Sequence, residues 1–134
     1  MCIFRIMNSD KPPGSILLYQ SDESDEFLTE ERCHILELYN ATNDRSQSLA
    51  RARIEPGITT AWHMLKDTSE IYYILEGKGE VELGEDFLQT MQKGDVVHIP
   101  KNTAQRITNL GDEDLIILCF CRPAFGPECY ESLE

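Results

Sequence analysis

Basic residues are scarce. Twelve Lys and Arg stand against 24 Asp and Glu in a chain of 134 residues, a formal net charge of −12. A nucleic-acid surface needs clustered Lys and Arg to neutralise phosphates, so DNA and RNA are excluded as partners on charge. An anionic membrane surface is disfavoured for the same reason. An anionic small molecule is not excluded, because a few buried arginines override the global field. Long apolar runs are also missing, and none approaches the roughly 20 residues of a spanning helix. Met1 to Met7 lacks an apolar stretch followed by a small-residue cleavage site. The chain reads as cytoplasmic, with no membrane partner. Five cysteines are an odd number at low density, which excludes a disulfide scaffold and fits a reducing compartment. Cys119 and Cys121 lie two apart in an apolar run, share a strand face and read as small core hydrophobes. Internal repeats are absent, and no convincing 3.6-residue pattern appears between the apolar runs.

What is present is a globular composition, 41% hydrophobic, at one domain's length. Short β-forming runs recur every eight to twelve residues, separated by Gly, Pro and Asn turns. That spacing implies an antiparallel sandwich or barrel. Ile16–Gln20 and Cys33–Tyr39 read as early strands, and Ser21–Glu26 between them as an exposed acidic loop. In the second run Cys33, Ile35 and Glu37 share one face, with His34, Leu36 and Leu38 on the other. Ser48–Ile54 sets Leu49, Arg51 and Arg53 against Ala50, Ala52 and Ile54. The two arginines suit either a substrate carboxylate or pairing with nearby acids. The tail from Arg122 onward is too rich in Pro and Gly for a strand, and Phe125 and Tyr130 are expected to pack it on the outside. The expected layout is one domain, with an N-terminal extension over 1–45, a barrel core near 46–121 and a tail over 122–134.

The stretch from Gly57 to Asn109 carries two spaced motifs. Gly57, His63, Glu70 and Gly77 fall on the pattern G-x5-H-x-H-x4-E-x6-G, with Leu65 in place of the second His. Gly94, Pro100 and Asn109 fall on G-x5-P-x-G-x2-H-x3-N, with Asn102 in place of Gly and Gln105 in place of His. The chain thus resembles the cupin family over about half its length. The resemblance implies an all-β jelly-roll barrel, the double-stranded β-helix, with an N-terminal strand extension. It also implies a homodimer and a divalent metal (Zn, Ni, Mn or Fe) at His63, Glu70 and Gln105, the surviving ligand positions.

Strand parity turns His63, Glu70 and Gln105 into one cluster walled by Leu65, Tyr72, Ile74 and Ile107. One imidazole, one carboxylate and one amide form a poor ligand set. They also form a working pair without metal: Glu70 beside His63 raises the imidazole's basicity, and Tyr72 supplies a donor to an oxyanion. The Pro100 turn leaves His98 unplaced, and His34 beside two leucines reads as a packing residue. The expected function is an enzyme acting on a carbohydrate-like or carbonyl-containing small molecule, an isomerase, epimerase or cyclase working by proton transfer. A non-catalytic ligand-binding or regulatory cupin is the alternative. A metal-dependent dioxygenase is the third reading, conditional on His98 or another side chain supplying an imidazole.

Overall fold

A computed structural model describes residues 7, 8 and 10–134. Cys2 and the rest of the first six residues lie outside them. The described residues contain eleven strands and two short 3-10 turns: β1 (Phe27–Leu28), β2 (His34–Ala41), β3 (Asp44–Ile54), β4 (His63–Leu65), β5 (Ser69–Glu76), β6 (Lys78–Leu83), β7 (Phe87–Gln92), β8 (Val96–Ile99), β9 (Gln105–Asn109), β10 (Leu115–Arg122) and β11 (Tyr130–Ser132). One sheet runs β1-β2-β3-β10-β5-β8 and the other β11-β4-β9-β6-β7. All strand pairings are antiparallel. This is the expected all-β jelly roll.

Alternation explains the layers. In β10, Leu115, Ile117, Cys119 and Cys121 are buried between the sheets, while Ile116, Leu118 and Phe120 face outward. Ile54, Ile74, Val81, Leu83, Ile99, Ile107, Leu115 and Ile117 fill the interior. Burying each such side chain contributes about 1.5–3 kcal/mol. A smaller cluster of Leu65, Cys121 and Cys129, with Phe125 and Tyr130 against it, closes one end. Leu65, standing where the motif has its second His, is thus a core residue.

The motif glycines mark places where the backbone turns left-handed: φ is +77° at Gly57, +92° at Gly77 and +93° at Gly94. At Gly77 there is no room either, since a Cβ would lie 3.1 Å from the Asp114 carbonyl oxygen and from Leu115 Cα. Asn102 has φ +62°, a conformation that Asn tolerates better than most residues. Its Oδ1 accepts from the Asp67 amide at 2.8 Å. The motif's departure from Gly therefore preserves the turn.

Three expectations are corrected. Ile16–Gln20 forms no strand, and Ile16 and Leu18 project into solvent; β1 is a two-residue strand beyond the acidic run, at Phe27–Leu28. The acidic run is not simply solvated, because Glu23 and Glu26 hold Arg51, and Glu26 and Asp114 hold Arg53. The arginines are therefore committed to acids on the sheet's outer face. The tail does not pack on the outside: Tyr130–Ser132 pairs with β4, Phe125 lines the interior cavity, and Tyr130 stacks on His63. Proline and glycine bend the tail back across the barrel end, and three residues suffice to complete a sheet edge.

Candidate functional site

A cavity of about 80 Å3 opens between the sheets at the end closed by β4 and the tail. His63 reaches it from β4, Glu70 and Tyr72 from β5, and Cys119 and Cys121 from β10. Glu37 reaches it from β2 and Glu31 from the turn before that strand. Cys33, Ile35 and Glu37 all line it, as their shared face implied.

Pairing across β4 and β9 sets His63 opposite Gln105. The His63 Nδ1 lies 2.7 Å from the Ala61 carbonyl oxygen. A carbonyl only accepts, so Nδ1 carries the proton and, in the neutral ring, Nε2 is the basic nitrogen. The ring is held flat against Tyr130, with centroids 5.1 Å apart and planes 22° from parallel. The carboxylate within reach of Nε2 belongs to Glu31, at 3.8 Å. Sequence reasoning missed Glu31, which lies outside both motifs and within an acidic stretch that carries no spacing signal.

Glu70 is engaged elsewhere. Gln105 Nε2 donates to Glu70 Oε1 at 2.6 Å and to the Tyr72 hydroxyl oxygen at 2.7 Å. The Cys121 thiol donates to Glu70 Oε2 at 3.5 Å. Gln105 is 1% exposed and sits behind these two residues, off the cavity wall. It is a positioning residue: with its amide donating to the Tyr72 oxygen, the phenol's own proton is free to donate to another acceptor. Burial raises the Glu70 carboxyl, with Gln105 and then His63 opposing. It likewise raises Glu31, against His63, and raises Tyr72, with the Glu70 charge adding to it. Desolvation disfavours each charged form. Tyr72 therefore stays a neutral hydrogen-bond donor, and positive charge on His63 favours the ionised form of both carboxyls against the effect of burial. Cys119 and Cys121 are raised by burial too and remain thiols.

The metal set expected at His63, Glu70 and Gln105 does not fit this geometry. Gln105 turns its NH2 group toward Glu70, so that carboxylate oxygen faces a donor. The amide would have to rotate, breaking both hydrogen bonds, to present its oxygen to a cation. No three His, Cys, Asp or Glu side chains among the described residues are grouped as ligands would be. His98 is exposed on β8 and His34 approaches Glu55 at 3.8 Å, so neither enters the cavity. The condition set for the dioxygenase reading is unmet.

Comparison with known proteins agrees with the fold. The cupin domain family matches residues 50–121, the stretch that holds both motifs. Uncharacterized protein MJ1618 of Methanocaldococcus jannaschii is 36% identical over 121 residues, 89% of this chain and 96% of that protein. The glucose-6-phosphate isomerase of Thermococcus onnurineus is 36% identical over 77 residues, 54% of this chain. The match takes in 40% of that isomerase. Among solved structures, the nucleoside dehydratase Pac13 of Streptomyces superposes with a TM-score of 0.73 at 16% identity, over 88% of this chain and 92% of Pac13. The capsular polysaccharide assembling protein CapF of Staphylococcus aureus gives 0.68 at 23%, over 91% of this chain and 34% of CapF. At those identities the likeness is one of fold. The motif positions, the two-sheet topology and the family match over 50–121 lead to one conclusion: this chain belongs to the cupin family.

Proposed function

We propose that the cavity is the active site of an enzyme that moves a proton on a small carbohydrate-like or carbonyl-containing metabolite, as an isomerase, epimerase or cyclase does. The observation that carries the reading is the His63 tautomer. Its Nδ1–H is committed to Ala61, leaving Nε2 as a buried base beside Glu31. Three roles follow. His63 Nε2 takes the proton from the substrate, and Glu31 stabilises the imidazolium that forms. The Tyr72 hydroxyl donates to the oxygen on which negative charge develops. Glu70, held by Gln105 and Cys121, is a second protonable group on the same wall. The isomerase named among the relatives supports the reaction class.

The test is proton exchange in deuterium oxide, followed by NMR, with glucose, fructose, their 6-phosphates and uridine as probes. Deuterium should enter a carbon-bound position of at least one probe, or a new product should form. His63→Ala should lower the rate by about 10²–10⁴-fold, with the circular dichroism of the parent retained. Tyr72→Phe should lower it less. The closed hydrogen bonds among Gln105, Glu70 and Tyr72 suit a second reading, a pure binding module. Ligand-induced thermal stabilisation without exchange or product from any probe would establish that reading and overturn the enzyme.

A further inference from the structure

The charges that face the cavity are unusual for a protein whose relatives include an enzyme of a phosphorylated sugar. Glu31, Glu37 and Glu70 line it with His63, and no Arg or Lys does. The nearby cations are all committed elsewhere. Arg45 donates to Asn40 Oδ1 and to the carbonyls of Ala41 and Phe125. Arg51 and Arg53 pair with Glu23, Glu26 and Asp114 on the sheet's opposite face. What the cavity offers a ligand is mostly acceptors. Glu37 Oε2 is buried and has no hydrogen-bond partner. Glu31 has His63 Nε2 at 3.8 Å, beyond hydrogen-bond length. The Nε2 of His63, a side chain 6% exposed, is the third acceptor.

A phosphate dianion brought into this space would leave water and meet no Arg or Lys on the cavity wall. Ionised glutamates would repel it, and protonated ones would supply no charge, so its desolvation would go largely uncompensated. A hydroxyl does the opposite, because an O–H that reaches Glu37 Oε2 satisfies an acceptor that is now buried without a donor, and Glu31 and His63 Nε2 offer further acceptors on the same wall. We infer that the ligand of this cavity is an uncharged, hydroxyl-rich metabolite, and that the cavity rejects its phosphate ester. The inference rests on the proposal that the cavity is the working site, and it narrows the substrate class to one that an isomerase of sugar phosphates would not take. Within the site, Glu37 becomes a specificity residue, in the same cross-strand row as Tyr72 but on β2, with β3 and β10 between them.

Paired ligands test this: glucose against glucose 6-phosphate, fructose against fructose 6-phosphate, and uridine against its 5′-monophosphate, each at millimolar concentration. Binding is read by saturation-transfer NMR and by thermal shift, on the parent, His63→Ala and Glu37→Gln. At least one uncharged member should bind more than about tenfold tighter than its phosphate, a difference of about 1.4 kcal/mol. Glu37→Gln should weaken that uncharged ligand several-fold with the fold retained. Tighter binding by a phosphorylated member, abolished in His63→Ala, would overturn the charge argument and leave the site standing. Binding unaffected by either substitution would remove the site itself. Silence from every uncharged member also overturns the inference.

Discussion

Glu37 shows how a buried carboxyl couples the site to stability. Its pKa is pushed up from 4.5 to about 7 by burial, against the opposing hydrogen bond of Asn40 and the charge of Arg45. A carboxyl whose pKa is higher folded than unfolded binds a proton on folding. Its stabilising contribution is therefore complete below 4.5 and is lost as pH rises through about 7. Each unit of the shift corresponds to about 1.4 kcal/mol. The melting temperature of the parent should fall between about pH 5 and pH 8, and Glu37→Gln, which carries no titrating group, should flatten that slope. A slope identical in parent and variant would show that Glu37 does not carry it. Glu31 and Glu70 are shifted in the same direction, so the variant should remove part of the slope and not all of it.

At the scale of elements, β11 is the one whose loss the site would feel first. It pairs Tyr130, Glu131 and Ser132 with Leu65, Met64 and His63. Glu134 beyond it clamps Arg32 and accepts from the Trp62 amide. Tyr130 covers His63 and seals the cluster of Leu65, Cys121 and Cys129. Tyr130→Ala should cost about 2 kcal/mol in denaturant unfolding, the range for truncating a partly buried aromatic. Tyr130→Phe should retain most of it, because the ring makes the contact. Equal losses in the two variants would place the energy in the hydroxyl and not in the stack. The motif elements were legible because their turns demand particular residues, as Gly77 does with its left-handed backbone against Asp114. The tail was not, since its proline and glycine content describes local conformation and a three-residue strand is fixed by the edge it meets.

For the whole molecule, the outer face of the six-stranded sheet is the surface that demands an explanation. Register sets Leu49 beside Phe120 and Ile71, and Leu118 beside Tyr73 and Val96. Tyr73 is 40% and Val96 58% exposed. A continuous apolar band on a sheet face is the mark of an interface. The expected assembly is a homodimer through this face, measured as twice the chain mass by light scattering and reduced to one chain by Leu118→Glu. A parent of single-chain mass would refute it. No helix among the described residues is long and apolar enough to cross a membrane.

The sequence by itself determined the jelly roll, its motif turns and the inward set of His63, Glu70, Tyr72 and Gln105. Period-two alternation and left-handed glycines are local constraints, written in consecutive residues. Only the tertiary structure decided which of those side chains meet. Glu70 and Gln105 are 35 residues apart in sequence and joined by a hydrogen bond. Glu31 reaches His63 from a turn outside both motifs. Parity places a side chain on a face, but a distance of 3 Å between two faces is set by how the sheets pack, and packing is summed over the whole core.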